Sequence, residues 1–170
     1  MITDAQVRSI VVSLSLVFLI VAVTFRSLVA GLYGILPLGL TLLVNFAVMG
    51  FASITLDVAT AMVSSVAVGI GIDYTIHFLS AYKRERVRHG TVKEAERRTL
   101  RTTGRAITFN AISVAAGFAV LVLSRFNPLM YMGGLIALTM IVSSTASLTI
   151  LPVLLGFFKP RFITRQGADI

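Results

Sequence analysis

The chain has 170 residues, enough for one compact domain, and its composition is that of a membrane protein. Hydrophobic residues make up 56% of the chain and charged residues only 13%, about half the roughly 25% typical of soluble domains. The chain contains no cysteine, which excludes disulfides and thiolate metal sites. Its net charge of +8 gathers mainly in one segment between two apolar runs.

Five long runs of largely uncharged residues follow one another along the chain. A transmembrane helix needs about 20 such residues, so each run fits one helix and no run fits two helices with a turn. The first run is not expected to be a signal peptide, because Asp4 and a single arginine precede it and no cleavage site follows. We therefore predict one all-α, multi-pass membrane domain over residues 1–170, with spans at about 9–25, 32–53, 58–82, 106–124 and 130–156.

The segment between the third and fourth spans, residues 83–105, is strongly basic. An excess of Lys and Arg marks the cytoplasmic side of a membrane. With this segment inside, thirteen of the 15 Lys and Arg residues are inside, and only Arg8 and Arg125 are outside. This distribution predicts an outside N-terminus and an inside C-terminus. Because an outside N-terminus without an exporting signal is unusual, and the chain stops soon after Arg161, we expect a C-terminal half of a longer transporter.

The basic segment is predicted to contain a short helix. Thr91 and Glu94 match a capping box at its start, and Gly104 stands where a C-terminal cap would. Its modest apolar face would consist of Val92, Ala95 and Leu100. We expect the helix to lie along anionic headgroups or simply to set the topology. A nucleic-acid role is not expected, because the segment has no Phe, Tyr or Trp on which a base could stack.

The third predicted span carries the chemistry, around Asp73, Tyr74 and His77. A carboxylate deep in a span costs roughly 2.5–3.5 kcal/mol on insertion scales, so an acid there predicts a functional site. Tyr74 lies about 100° around the helix from Asp73. His77 fits a proton relay and a purely structural hydrogen-bonding role equally well. Helical spacing places Asp73 on one stripe of small and polar residues, which we predict to face other helices or a water-filled path: Ser65, Gly69, Asp73, His77 and Ser80.

Small and polar residues on the remaining spans could support this stripe. Gly69 and Gly71 would let a neighbouring helix approach closely. We interpret the Ser and Thr residues as hydrogen-bonding groups that stabilise helix packing by about 0.6–2 kcal/mol each, and leave the role of Asn45 open. The polar and small residues on the second, fourth and fifth spans are Thr41, Asn45, Asn110, Ser113, Gly117, Thr139, Ser143 and Ser147.

The sequence resembles one membrane half of the resistance–nodulation–division (RND) transporters, of the MMPL type that exports lipids and hydrophobic compounds. The stretch Gly69-Ile70-Gly71-Ile72-Asp73-Tyr74-Thr75-Ile76-His77-Phe78, followed by a basic segment, resembles the fourth or tenth span of these proteins. Weaker matches along nearly the whole chain support the resemblance: Phe25-Arg26-Ser27, Leu36-Pro37, Gly104-Arg105-Ala106-Ile107, Gly117-Phe118, Phe126-Asn127-Pro128 and Leu151-Pro152.

The resemblance implies a secondary transporter in a prokaryotic cell membrane, in which Asp73 carries protons with Tyr74 beside it and His77 as a further relay. Such transporters have two halves and extracytoplasmic porter domains. The expected partners are therefore the lipid bilayer, a second half with a porter domain, and a lipid or hydrophobic substrate. No enzymatic activity, cofactor or metal is expected. Two alternatives stay open: a lipid-binding regulatory module like the sterol-sensing domains, which share the five-span architecture, and a scaffold bundle that assembles with another subunit.

Overall fold

The computed structural model describes residues 2–55, 58–89 and 91–158. These residues are almost entirely helical and include no strand. Five helical segments are long and apolar enough to cross a membrane, so the predicted all-α architecture with five transmembrane helices is confirmed. The helices are α1 (Ile2–Phe25), α2 (Leu28–Phe51), α3 (Val58–His89), α4 (Val92–Thr99), α5 (Arg105–Ala119) and α6 (Asn127–Phe158).

The basic segment forms a helical hairpin. Helix α3 continues to His89, and α4 begins at Val92 and packs back against α3. From Val92 the chain stays helical to Leu123, through a π turn at Leu100–Gly104 and a 3-10 turn at Val120–Leu123. The predicted helix end at Gly104 is wrong, since its φ of −58° and ψ of −44° are right-handed helical. An unbroken helix keeps the backbone polar groups paired where the chain returns to hydrocarbon.

The Thr91 half of the predicted capping box is wrong. Thr91 does occupy the N-cap position of α4 with extended backbone (φ −105°, ψ 143°), but its side chain makes no capping hydrogen bond. Glu94 accepts a hydrogen bond from Nε of Arg98 at 2.8 Å. The predicted apolar face of this helix does turn inward: Ala95 is completely buried and Leu100 packs against the core.

Helix α2 begins four residues earlier than the predicted span and continues past a proline. Ser27 caps it by accepting a hydrogen bond from the Ala30 amide at 3.5 Å, after a turn in which Arg26 has a φ of 50°. Pro37 lies inside the helix, and the Thr41 hydroxyl donates to the Pro37 carbonyl at 2.8 Å.

Helices α2, α3 and α6 form the interior of the bundle. Helix α6 packs against α2, α3 and α5, while α1 packs against α2 and α3 from the outside. Leu38, Phe78 and Met140 are among the fully buried side chains where the three inner helices meet. Helices α3 and α5 both lie on α6 but have little direct contact with each other. A groove therefore opens between α3 and α5, with α6 as its floor.

Candidate functional site: a polar groove between α3 and α5

Asp73 lies near the middle of the membrane-spanning part of α3. It follows Met62 by eleven residues and precedes Lys83 by ten, which corresponds to about 16 Å and 15 Å of helix. The hydrocarbon core of a bilayer is about 30 Å thick, so the carboxyl group lies close to its centre. Asp73 is exposed on the surface of the bundle, and it forms no ion pair or hydrogen bond with another residue that the structure describes.

The groove beside Asp73 has a volume of about 240 Å³. Tyr74 is only 2% exposed, and its hydroxyl reaches the floor, where it donates to Sδ of Met140 at 3.5 Å. The Asn110 side chain lies beside the same hydroxyl. A space of this size with four polar side chains in its lining can accommodate several water molecules. The groove is lined by Asp73, Tyr74 and His77 from α3 and by Ala106, Ile107 and Asn110 from α5.

The predicted stripe on α3 forms one outward face. Gly69, His77 and Ser80 are exposed like Asp73, and no atom lies within 4 Å of the position that a Cβ would occupy at Gly69. Ser65 is half-buried, and its hydroxyl shares a hydrogen bond with Ser9 of α1 at 3.1 Å. On α5, Asn110 and Ser113 are also exposed. The described helices of this chain therefore leave most of the stripe uncovered.

A second group of polar residues lies on the opposite side of α3, where it packs against α2 and α6. The Asn45 amide donates to the Thr139 hydroxyl at 2.7 Å, and both residues are buried. The Ser143 hydroxyl donates to the Gly71 carbonyl at 3.3 Å. A Cβ at Gly71 would lie 2.7 Å from Cδ2 of Leu38 and 2.8 Å from Oγ of Ser143, so a larger residue would force these two buried side chains to shift. This inner seam continues to a hydrogen bond of 3.1 Å between Thr75 and Ser147.

The structure thus divides the predicted supporting residues into two groups that do not meet. Asn45, Gly71, Ser143 and Ser147 belong to the inner seam, and Asn110 lines the groove with Asp73. Gly69 and Ser113 are exposed, and Ser65 contacts α1 instead. Two residues that form these side-chain hydrogen bonds, Thr75 and Met140, were not predicted. Thr75 stands four residues after Gly71, so helical spacing alone could have placed it in the seam. Met140 gave no comparable signal, because its contact with Tyr74 depends on how α3 sits on α6.

Three side chains of different chemistry line the groove: the Asp73 carboxyl group, the Tyr74 phenol and the His77 imidazole. In the described part of the chain, no group of three or more His, Cys, Asp or Glu side chains is arranged to hold a metal ion. The chemistry that these side chains themselves offer is therefore that of an acid, a phenol and an imidazole in one groove.

A family model described as the MMPL family matches residues 2–166, nearly the whole chain. The chain belongs to the MMPL family. The resemblance to MMPL-type RND transporters is thereby confirmed, together with the multi-pass membrane character of the chain. No solved structure matches the chain.

Several named relatives of this MMPL chain are much longer proteins. MJ1562 of Methanocaldococcus jannaschii, whose name describes a membrane protein, is 29% identical over 152 residues, which cover 89% of this chain and 39% of the relative. ActII-3 of Streptomyces coelicolor, also described as a membrane protein, is 31% identical and is matched over 92% of this chain and 23% of its own length. The trehalose monomycolate exporter MmpL3 of Mycobacterium tuberculosis is 29% identical, with 89% of this chain covering 16% of MmpL3.

Proposed function

We propose that this MMPL chain is the membrane part of an exporter of lipids or hydrophobic compounds that is driven by the proton-motive force. The Asp73 carboxyl group carries the proposal, because it lies at mid-depth in a groove without a cationic partner among the described residues. Ionisable groups inside a membrane are costly and usually serve transport or proton relay. The name of the relative MmpL3, a trehalose monomycolate exporter, supports a lipid as the class of cargo.

In the proposed cycle Asp73 takes up a proton from the outer side and releases it toward the inner side. His77 follows Asp73 by one helical turn, about 6 Å nearer to Lys83, and lines the same groove, so it can pass the proton on. The Tyr74 hydroxyl orders the groove through Met140 and Asn110. One proton moving through 100 mV supplies about 2.3 kcal/mol, which is enough to change the ratio of two helix arrangements nearly fiftyfold.

The proposal includes a partner for the exposed face of α3. A carboxylate that faced lipid directly would be very costly, so a second transporter half, fused or assembled by dimerisation, is proposed to cover the groove. The uncovered glycine at position 69 and the exposed Ser113 and Gly117 of α5 leave room for another helix to approach. An extracytoplasmic porter domain carried with that half would handle the cargo.

We further propose that the basic hairpin lies on the cytoplasmic side of a prokaryotic cell membrane, which follows from the positive-inside rule. The chain contains no cysteine, so single cysteines placed at positions 89, 127 and 167 can be tested without a background. An impermeant thiol reagent added outside intact cells should label only position 127. Equal labelling of positions 89 and 127 would contradict this orientation.

Efflux of a fluorescent lipid analogue tests the function directly. Membrane vesicles containing the protein in its native assembly are loaded with the analogue, and a pH gradient is imposed across the membrane. We expect efflux to follow the gradient and to stop when a protonophore collapses it. Binding of the analogue without gradient-dependent efflux would instead support the lipid-binding regulatory module.

A further inference from the structure

Helix α5 has an apolar face that is separate from both the core and the groove. Ile107, Ala111 and Ala115 face the core, and Asn110 and Ser113 lie on the face next to α3. Helical spacing places a third set of residues opposite the core. Its large side chains are exposed: Phe109 is 65% exposed, Ile112 53% and Val120 63%.

A basic stripe leads directly into this apolar face. Its four members are spaced by four residues, and all of them are exposed: Lys93, Arg97, Arg101 and Arg105. None of them forms an ion pair with another described residue, whereas the neighbouring Arg98 is held by Glu94 at 2.8 Å. A cavity of about 230 Å³ beside the stripe is lined by Glu94, Arg97, Arg98, Arg101 and Thr102.

The dimensions of the two features match one phospholipid. Arg105 and Phe109 are four residues apart, so the basic stripe and the apolar face follow each other on one side of a continuous helix. Phe109 and Ile112 follow Arg105 by four and seven residues, or about 6 Å and 10 Å of helix. One leaflet contributes about half of the roughly 30 Å hydrocarbon core, so both side chains lie within the acyl layer next to the basic stripe.

We propose that this side of the hairpin binds an anionic phospholipid. Arg97 and Arg101 hold the headgroup phosphate, with Lys93 and Arg105 adding positive charge, and an acyl chain lies along Phe109 and Ile112. Guanidinium groups suit phosphate because they can donate two parallel hydrogen bonds. The site lies on a different face of α5 from the Asp73 groove, so it does not depend on the proton relay.

Bromine quenching of a single tryptophan tests this site in the full chain. The chain contains no tryptophan, so Phe109→Trp introduces one reporter on the apolar face. The protein is placed in phosphatidylcholine nanodiscs that contain a small fraction of brominated phosphatidylglycerol or brominated phosphatidylcholine. We expect the anionic lipid to quench far more than its mole fraction predicts, and the zwitterionic lipid to quench only in proportion to its fraction.

Two double variants that lose the same charge distinguish a specific lipid site from nonspecific attraction of anionic lipid to the basic hairpin. Each Lys or Arg near an anionic surface contributes about fivefold to binding, so R97Q/R101Q should lower the preference for phosphatidylglycerol about thirtyfold. R84Q/R88Q changes two exposed arginines on α3 and should retain most of that preference. Circular dichroism checks that both variants keep their helical content. Equal quenching by the two lipids in the parent, or equal losses in the two variants, would overturn the proposal.

Discussion

Replacement of Asp73 by asparagine is the sharpest test of the proton relay. Asparagine has nearly the same size and can still form hydrogen bonds, but it cannot carry a proton. Asp73 makes no hydrogen bond or ion pair with another described residue, so the substitution breaks no such bond within the described bundle. It also removes a side chain that costs roughly 2.5–3.5 kcal/mol at the centre of a span. We therefore expect protein abundance and stability to be unchanged or slightly increased.

The expected loss of function can be worked out from the driving force. A gradient of one pH unit supplies about 1.4 kcal/mol per proton, which sustains up to a tenfold concentration ratio of a cargo exchanged one for one. The parent should approach that ratio for a lipid analogue in vesicles. Asp73→Asn should give a ratio near one, the same as without a gradient. The assay is analogue distribution against an imposed pH gradient, with the protein level measured in the same vesicles.

Two further substitutions serve as controls for Asp73→Asn. Asp73→Glu keeps a titratable carboxyl group and should retain part of the gradient dependence. Asp4→Asn makes the same chemical change near the start of α1, before the apolar segment, and should leave transport intact. Full gradient-driven efflux by Asp73→Asn would refute the relay and favour a lipid-binding regulatory module.

Four further substitutions test the groove and the inner seam, and Gly69→Ala serves as a control. His77→Ala should shift the pH dependence of transport if the imidazole relays protons, whereas a uniform loss at every pH would indicate a packing role. Tyr74→Phe should weaken transport less than Asp73→Asn does. Gly71→Ala should destabilise the bundle by about 1–3 kcal/mol because the added Cβ collides with side chains of α2 and α6. Gly69→Ala should leave the stability unchanged, because the space around that position is open. Unfolding of the purified chain in detergent measures the stability of both variants. Thr139→Val removes the acceptor of the buried Asn45 amide and should cost about 0.6–2 kcal/mol in the same measurement, and a cost near zero would contradict the seam.

The periodicity of α3 made part of the site predictable. Spacing of three and four residues along α3 placed Ser65, Gly69, Asp73, His77 and Ser80 on one stripe. The structure exposes the last four of these residues and packs Ser65 against α1. Periodicity describes a single helix, however, and says nothing about which neighbour occupies each side. Ser143 and Ser147 were therefore grouped with Asp73, although they contact Gly71 and Thr75 on the far side of α3.

Sequence alone determined the number of spans, the position of the acid and the basic character of the hairpin, because hydrophobic run length and charge are local properties of a chain in a bilayer. Only the tertiary structure decided that α3 and α5 rest on α6 without closing on each other, which leaves a groove at Asp73 with Met140 beneath it. It also decided that the helix continues through Gly104. Glycine often ends a helix, but here a continuous helix keeps the backbone groups paired and packs against α6. Helix-to-helix placement depends on side chains far apart in the sequence, such as Leu38, Gly71 and Ser143, and no local pattern encodes their meeting.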